Sequence, residues 1–461
     1  MIRLVVVGGG ISGLAAAWYA AAAGLDVLVL EASPAVGGKL RVESVAGVPV
    51  DVGAEALLTA RPEGIELLAD AGLADERLAP LTTAAHVRAA GELHRLPAKT
   101  MLGIPADVDA LRSSGVLSAA GVDAVAAEPS LPPLPRLTSD VGVGALVRER
   151  MGDEAADRLV EPLLGGVYAG RADELSLQAT VGRLAGHLAE HGGSLLAAAA
   201  AVTDVGTRDP AAGPIFTTLR GGLGRLPEAL AASGRFGVRT GTTVRALRRT
   251  PTGFVLECGP VPAPEPVAAD AVVVAVPPGK AARLLRDVSP GAAAELAGIE
   301  TASMAIVTFA FRGVDVPAGS GLLVAAGERL AVKAVTLSTQ KWPIESGGLT
   351  LLRASVGRAG EPQALRFDDA ELRALVRREL APLLGITAEP VDARVTRWGG
   401  GLPQYAVGHV DRVGRIRAAV AGVPGLAVCG AAYDGVGIPA CIASARAAVD
   451  RVTATVRERG Q

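Results

Sequence analysis

A glycine-rich turn near the start of the chain carries the clearest chemical signal. Six consecutive residues follow the pattern G-x-G-x-x-G: Gly8, Gly9, Gly10, Ile11, Ser12 and Gly13. In such a turn the first glycine permits a tight bend, the second lets a pyrophosphate approach the backbone, and the third lets a helix pack closely on a strand. Negative phosphates are then stabilised by free N–H groups at the start of the helix. The pattern predicts that these six residues bind a dinucleotide.

The surrounding sequence places this turn in a strand–helix–strand unit. The apolar run of residues 3–7 predicts a strand buried on both faces, followed by a helix and a second strand at residues 26–30. Glu31 follows that strand, 18 residues past Gly13, where its carboxylate can accept hydrogen bonds from ribose hydroxyls. A carboxylate would repel a 2′-phosphate, which disfavours NADP. A purely structural glycine turn is the alternative, and Glu31 favours the nucleotide site.

The composition limits the classes of function. Half of the 461 residues (50%) are hydrophobic, which predicts a large core and two or three domains. Lys and Arg number 45 against 47 Asp and Glu, so no basic field is available for nucleic acid. Cys258, Cys429 and Cys441 form no C-x-x-C pair, which argues against disulfides and favours a cytoplasmic protein. No apolar run approaches the roughly 20 residues of a transmembrane helix, and peripheral membrane contact is the alternative.

The order of the predicted elements indicates an α/β fold. It comprises a discontinuous, Rossmann-like nucleotide domain, a mixed-sheet substrate domain and a helical domain. Strands are predicted at residues 271–276 and 426–429, and helices at residues 368–384 and 438–457. The expected domain limits are residues 1–85, 202–285 and 413–461 for the nucleotide domain, 86–106 and 286–412 for the substrate domain, and 107–201 for the helical domain.

Among the five histidines, only His187 and His191 have the i,i+4 spacing that places two imidazoles on one face of a helix. The segment lacks the glutamate of an H-E-x-x-H motif, and no third ligand is evident in the sequence. We therefore expect a solvated helix face and no metal site.

The stretch after Glu31 points to the identity of the dinucleotide. A glycine pair six residues later resembles the extended FAD signature of the amine oxidase superfamily, and residues 51–55 resemble the next flavin-contacting stretch, whose backbone lies against the isoalloxazine ring. This resemblance implies FAD as the cofactor. The cofactor-binding residues that it implies here are Glu31, Ala32, Gly37, Gly38, Lys39, Gly53, Ala54, Glu55 and Ala56.

More distant motifs resemble the protoporphyrinogen and coproporphyrinogen oxidases, in order over nearly the whole chain. The motifs are LHRLP at 93–97, PLLGGVYAG at 162–170, LPQY at 402–405 and the glycine-rich stretch from 428. Val244 resembles a position that contacts adenine and Trp398 a tryptophan near the flavin, with a core role as the alternative for each. The closing flavin motif implied by the resemblance comprises Gly430, Val436, Gly437 and Ile438.

This family resemblance implies an oxygen-dependent, six-electron oxidation of a porphyrinogen to a porphyrin in heme biosynthesis, with peroxide released. A hydride would pass to flavin N5, so we assign no catalytic side chain. The expected partners are the porphyrinogen, molecular oxygen and, transiently, the next enzyme of the heme pathway. The substrate-binding residues implied here are Gly166, Tyr168, Ala169, Gln404 and Tyr405, with a core role as the alternative for Tyr168.

The choice of porphyrinogen depends on charge, because coproporphyrinogen III carries four propionates and protoporphyrinogen IX carries two. Arg61 follows the flavin stretch where bacterial coproporphyrinogen oxidases have a lysine-rich patch, and Ala85 replaces an arginine typical of mitochondrial relatives. Both features favour coproporphyrinogen III, with protoporphyrinogen IX as the alternative. Arg61 and Lys99 are the candidate carboxylate ligands, and a solvent-facing Arg61 is an equal alternative.

Two other classes share the FAD signature. An amine oxidase needs an aromatic cage at the flavin, and aromatic residues make up only 3% of this chain; a carotenoid desaturase is the related alternative. Non-catalytic binding proteins of the same fold lose the pyrophosphate glycines or the closing motif, and this chain keeps both. An FAD-dependent oxidoreductase is therefore favoured.

Overall fold

A five-stranded parallel sheet is assembled from three separated parts of the chain. The computed structural model describes residues 2–134, 139–205 and 213–459. The strands of this sheet are β1 (Arg3–Val7), β2 (Asp26–Leu30), β12 (Gly237–Arg239), β16 (Ala271–Val274) and β22 (Leu426–Val428). Their order is β12-β2-β1-β16-β22, with every neighbouring pair parallel. The predicted discontinuous α/β architecture is confirmed.

Strand β1 is buried on both faces because its alternate side chains enter two different cores. Leu4 and Val6 pack on one side with α1 (Ile11–Ala22) and α16 (Ile438–Arg459). Val5 and Val7 pack on the other side with an antiparallel sheet and further helices. Those elements are β13 (Val244–Arg249), β14 (Phe254–Cys258), β15 (Glu265–Ala269), α11 (Pro278–Leu285), α12 (Pro290–Ala297) and α15 (His409–Ala421).

The second large sheet has seven strands and is mixed. Its strands are β7 (Ala85–Ala89), β8 (Glu92–Arg95), β17 (Thr301–Arg312), β18 (Gly321–Val324), β19 (Val332–Leu337), β20 (Leu349–Val356) and β21 (Asp392–Pro403). The order is β21-β17-β20-β19-β18-β7-β8, and only β18 and β7 run parallel. Helix α14 (Asp369–Leu384) covers one face. Asp368 and Glu371 form the capping box that begins this helix.

A hairpin of β3 (Val42–Val45) and β4 (Val48–Asp51) packs on the opposite face of that sheet. Its Val45, Val48 and Val50 side chains form a small core with Ala310 and Leu351. Because the hairpin leads directly into the predicted flavin stretch, this packing brings that stretch next to the seven-stranded sheet.

Helices dominate residues 108–205. They are α3 (Val108–Ser114), α4 (Ala119–Ala127), α5 (Val143–Met151), α6 (Asp153–Ala155), α7 (Glu161–Tyr168), α8 (Leu177–Glu190) and α9 (Leu195–Val205), with a π-helical turn at Ala156–Val160. Glu128 is fully buried, pairs with Arg150 at 2.8 Å and accepts hydrogen bonds from the N–H groups of Leu195 and Leu196. These bonds stabilise the start of α9, whose first N–H groups lack partners within the helix.

Short elements complete the structure. They are β5 (Leu57–Leu58), β6 (Arg77–Leu78), β9 (Thr100–Met101), β10 (Ile104–Pro105), β11 (Phe216–Leu219), α2 (Pro62–Asp70), α10 (Arg225–Ala232) and α13 (Ser338–Lys341). Over the three described ranges, no helix is long and apolar enough to cross a bilayer.

Candidate active site

The glycine turn joins β1 to α1 as the sequence predicts. Gly8 has a φ of +108°, a conformation that glycine adopts without strain. Gly10 is the residue before α1, and no described side chain caps the first turn of that helix. The first N–H groups of α1 therefore remain available to an anionic ligand.

The space around each glycine shows what the turn can hold. A methyl group on Gly13 would lie 1.8 Å from the Gly8 carbonyl oxygen, and one on Gly8 would lie 2.7 Å from the Ala275 carbonyl oxygen. The fold itself therefore requires these two glycines. A methyl group on Gly10 would meet only the Cα atom of Gly38, at 4.0 Å, among the described atoms. The packing of the protein does not explain Gly10, whereas the close approach of a pyrophosphate does.

Glu31 is oriented by the backbone around it. Its carboxylate accepts hydrogen bonds from the Gly9 N–H at 2.6 Å and from the N–H and hydroxyl of Ser33, both at 2.7 Å. The Thr242 N–H donates to the Glu31 carbonyl at 2.8 Å, two residues before Val244 opens β13. The predicted ribose and adenine positions therefore lie at one edge of the parallel sheet. Ala32 is exposed beside them.

The second glycine pair lies directly against the first turn. The Gly37 N–H donates to the Gly9 carbonyl at 2.8 Å, and Gly10 and Gly37 form an isolated bridge. Next to this pair, burial lowers the pKa of the Lys39 ammonium, and the charge of Lys280 lowers it further. A bound phosphate would compensate both effects, so the cationic side chains fit a dinucleotide here.

The predicted flavin stretch is held by a buried ion cluster. Glu55 pairs with Lys341 at 2.6 Å and with Arg353, and Arg353 also donates to the Gly53 carbonyl at 2.6 Å. Burial alone would raise the pKa of Glu55, but the two cations outweigh it and lower that pKa to about 2. The Glu55 side chain is thus engaged by protein cations. The backbone of this stretch, including Ala54 and the neighbouring Ala56, remains the predicted flavin contact.

Trp398 lies against the same stretch. Its indole N–H donates to the Val52 carbonyl at 2.9 Å, and a methyl group on Gly53 would lie 3.2 Å from its ring. Trp398 also pairs with Met304 across β21 and β17. The indole therefore connects the flavin stretch to the seven-stranded sheet.

The closing motif meets the first turn at the start of α16. A methyl group on Gly430 would lie 3.7 Å from the Ser12 hydroxyl oxygen, so β22 ends beside α1. The Tyr405 hydroxyl donates to the Ala431 carbonyl at 2.6 Å and accepts from the Gly435 N–H at 2.8 Å. This bridge fixes the loop that leads into the helix. The other predicted residues of the motif are Val436, Gly437 and Ile438, and α16 begins at the last of them.

A small cavity lies beside this site, between α7 and the seven-stranded sheet. Gly166 and Ala169, both predicted to contact substrate, line it together with Met304 and two cations, Lys333 and Arg358. Lys333 pairs with Glu361 at 2.9 Å, and Arg358 pairs with the buried Glu161 of α7. Met304 lines the cavity and is the strand partner of Trp398, whose ring lies against Gly53 of the flavin stretch.

Three further predicted substrate residues form one buried cluster. The Gln404 amide donates to the Tyr168 carbonyl at 2.8 Å, and the rings of Tyr168 and Tyr405 lie 5.3 Å apart. Burial raises the pKa of Tyr168 to about 12, so its hydroxyl stays neutral. His409 stacks on Tyr405 at 4.0 Å. These contacts give Gln404 and Tyr405 structural partners, and direct contact with substrate stays a prediction.

Arg61 and Lys99 lie in different surroundings. Arg61 is 42% exposed and pairs with Glu63 at 2.8 Å. Lys99 is 54% exposed and pairs with Asp107 at the start of α3. The structure thus ties Lys99 to the helical region.

Several charged residues around the site were not found from the sequence. Lys333 and Arg358 line the cavity because of how the strands of the mixed sheet pair. No local sequence motif indicates this pairing. Asp51 is buried behind the flavin stretch and accepts a hydrogen bond from the Leu223 N–H at 2.9 Å. Burial raises the pKa of Asp51 to about 7. The sequence Asp-Val-Gly marked its position but gave no signal that the carboxyl group is buried.

Comparison with known proteins agrees with this geometry. The model of the family "Flavin containing amine oxidoreductase" matches residues 11–453. The coproporphyrinogen III oxidase of Mycobacterium leprae is 39% identical over 98% of this chain and 98% of its own length. That of Bacillus subtilis is 32% identical over 97% of both. A crystal structure from Exiguobacterium sp. 255-15 superposes with a TM-score of 0.86 at 32% identity, covering 100% of this chain and 99% of the other.

The parallel sheet, the open glycine turn and the closing helix define a flavin-dependent oxidoreductase, and FAD is its cofactor. Within that class, the chain belongs to the flavin-containing amine oxidoreductase family and, in it, to the group of the protoporphyrinogen and coproporphyrinogen oxidases.

Proposed function

We propose that this protein oxidises coproporphyrinogen III to coproporphyrin III in heme biosynthesis, with molecular oxygen as the electron acceptor and peroxide as the by-product. The observation that carries the proposal is the near full-length identity with relatives named coproporphyrinogen III oxidase, up to 39%. We also propose the domain limits, the site residues and the cytoplasmic location given above as predictions.

Bound FAD supplies the two-electron acceptor chemistry, and the residues of the chain position both reactants. The turn of residues 8–13, Glu31 and Lys39 would hold the pyrophosphate and ribose. Gly166 and Ala169 would let backbone lie close to a flat macrocycle, because neither residue carries a bulky side chain into the cavity. No protein acid or base is assigned, since tautomerisation moves hydrogens around the macrocycle.

Two cations at the cavity are candidate partners for substrate carboxylates. Lys333 and Arg358 line the cavity, where they pair with Glu361 and Glu161, so a propionate would share these cations with the protein carboxylates or replace them. A propionate bonded to one such cation gains about 1.5 to 3 kcal/mol, which a vinyl group at the same position cannot gain. Because about 1.4 kcal/mol corresponds to a factor of ten, a single contact would produce a measurable preference.

The test is a side-by-side measurement of kcat/KM with coproporphyrinogen III and protoporphyrinogen IX, in oxygenated buffer without NAD(P)H. We expect coproporphyrinogen III to be the better substrate, with peroxide formed alongside porphyrin. Arg61→Ala should reduce this preference, whereas Arg112→Ala should not change it. Arg112 is a matched control because it is a 58% exposed arginine with a similar surface ion pair.

Equal or faster turnover of protoporphyrinogen IX would replace the proposal with the protoporphyrinogen assignment. Strict dependence on added NADP would contradict the oxygen-dependent reaction. An unchanged substrate ratio in Arg61→Ala would remove Arg61 from the carboxylate site and leave Lys333 and Arg358 as the cations to test.

A further inference from the structure

We propose that the end of helix α8 binds a divalent transition-metal ion through His187, Glu190 and His191. Each residue offers one ligand atom, and these three atoms lie within 4.8 Å of one another. His187 Nδ1 lies 2.9 Å from a Glu190 carboxylate oxygen, and the two imidazole rings are 5.8 Å apart. Glu190 stands between the two histidines in the sequence, and the structure places its carboxylate beside His187.

The local backbone fixes these residues instead of leaving them on a frayed helix end. His191 is the C-cap of α8, and its N–H donates to the His187 carbonyl at 3.0 Å. The Gly193 N–H then donates to the Leu188 carbonyl at 2.8 Å, while Gly192 has a φ of +62°. This is the pattern of a Schellman turn, which ends a helix in a defined conformation. The two imidazoles are therefore held on one face.

The turn is also anchored to the interior of the helical region. The hydroxyl of Ser194 donates to the fully buried Glu128 at 2.7 Å. Leu188, next to His187, is itself buried in the core of these helices. An ion bound at His187, Glu190 and His191 would therefore tie the end of α8 to a rigid turn before α9.

One polar atom of this cluster lacks an aligned hydrogen-bond partner among the described residues. His187 Nδ1 is buried and has no aligned hydrogen bond to any described residue, although the Glu190 carboxylate is 2.9 Å away. A bound cation would satisfy both groups. In a tetrahedral site with bonds of roughly 2.1 Å, ligand atoms are roughly 3.4 Å apart. Small side-chain rotations would bring the three ligand atoms, now within 4.8 Å of one another, to this distance. The Glu190 side chain has room to rotate because it is 67% exposed.

Two imidazoles and one carboxylate select the kind of metal. This donor set suits Zn²⁺, Ni²⁺ or Cu²⁺, whereas Mg²⁺ and Ca²⁺ prefer a shell of oxygen atoms. A water molecule would complete the coordination on the solvent side. The cluster belongs to α8, which carries none of the residues assigned to the flavin or the porphyrinogen, so the inference does not depend on the proposed function.

The test is a zinc titration of the full-length, FAD-loaded protein without an affinity tag, after treatment with a chelator, using a chromophoric competitor. We expect one equivalent of saturable binding and none with Mg²⁺. His187→Ala and His191→Ala should each weaken zinc binding by about tenfold or more, and Glu190→Gln should weaken it as well. His94→Ala, which alters a half-buried histidine on β8, should bind zinc like the wild type.

Cobalt(II) provides an independent readout, because an imidazole–carboxylate site of low coordination number produces visible ligand-field bands. These bands should appear with the wild type and be absent from a His187→Ala, His191→Ala double variant that retains its flavin absorbance and circular dichroism. Wild-type zinc affinity in that double variant would overturn the proposal, and so would the absence of saturable zinc binding to the wild type.

Discussion

The substitution Glu55→Gln tests the buried ion cluster beneath the predicted flavin stretch. It removes the carboxylate that pairs both with Arg353, whose side chain is 8% exposed, and with Lys341, which is 18% exposed. The pKa of Glu55 falls from its ordinary 4.5 to about 2, which corresponds to about 3 kcal/mol of stabilisation. Breaking a buried pair typically costs about 3 to 5 kcal/mol, because a charge is left unpaired. We expect the free energy of unfolding to fall by about 3 kcal/mol.

Urea unfolding followed by circular dichroism measures this loss. Because the folded-state pKa of Glu55 is depressed, its contribution is complete above pH 4.5 and is lost as the pH falls towards 2. The difference between wild type and variant should therefore be largest near neutral pH and narrow in acid. Glu265→Gln is the control, since Glu265 is 63% exposed and a surface pair contributes about 1 kcal/mol or less. A loss no larger than that of this control would refute the reasoning.

Three further predictions concern the frame of the site. Gly10→Ala should keep native circular dichroism but lose flavin absorbance. Gly13→Ala should lose the fold as well, because its methyl group would lie 1.8 Å from a carbonyl oxygen. Full FAD content in Gly10→Ala would contradict the predicted pyrophosphate position. Tyr405→Phe removes a hydroxyl with two backbone partners. We therefore expect the free energy of unfolding to fall by about 1 to 3 kcal/mol and FAD binding, measured by fluorescence titration, to weaken. An unchanged FAD dissociation constant would contradict the role of this hydroxyl in fixing the loop before α16. The raised pKa of Asp51, about 7, means that its stabilising contribution is complete below its ordinary pKa of 3.8 and is lost as the pH rises through about 7. The melting temperature of Asp51→Asn should therefore rise relative to that of the wild type between about pH 4 and about pH 7. A constant difference would show that Asp51 does not titrate there.

Elements with a strong local pattern were predicted well from the sequence. The helix expected at residues 368–384 is α14 (Asp369–Leu384), because its capping box and its periodicity are both local signals. The strand expected at residues 271–276 is confirmed but ends at Val274, two residues early. The glycine turn was also predicted from a local signal, the pattern of residues 8–13, although Ala275, Glu31 and Gly37 contact it in the structure.

Contacts between distant parts of the chain were not predictable in the same way. Glu55 and Arg353 are 298 positions apart, and their pairing depends on how the β3–β4 hairpin packs on the seven-stranded sheet. A family motif predicts that Tyr405 binds substrate, whereas in the structure its hydroxyl is hydrogen-bonded to the loop before α16. Whether it also touches substrate stays a prediction.

The cluster at the end of α8 shows a third kind of limit. The i,i+3 spacing on the helix brings the Glu190 carboxylate beside His187. The position of His191 depends on how the helix ends, because His191 is the C-cap and the following glycines form the Schellman turn. The expected absence of a metal site was based on the two histidines, although Glu190 stands between them in the sequence. The zinc titration tests that expectation.

Anaerobic mixing of the FAD-loaded protein with coproporphyrinogen III tests most directly whether this flavin oxidises a porphyrinogen. We expect the visible absorbance of the flavin to be lost on mixing, without NAD(P)H, and to return when oxygen is admitted, with peroxide and coproporphyrin III formed. Flavin absorbance that is unchanged by coproporphyrinogen III would contradict the proposed reaction.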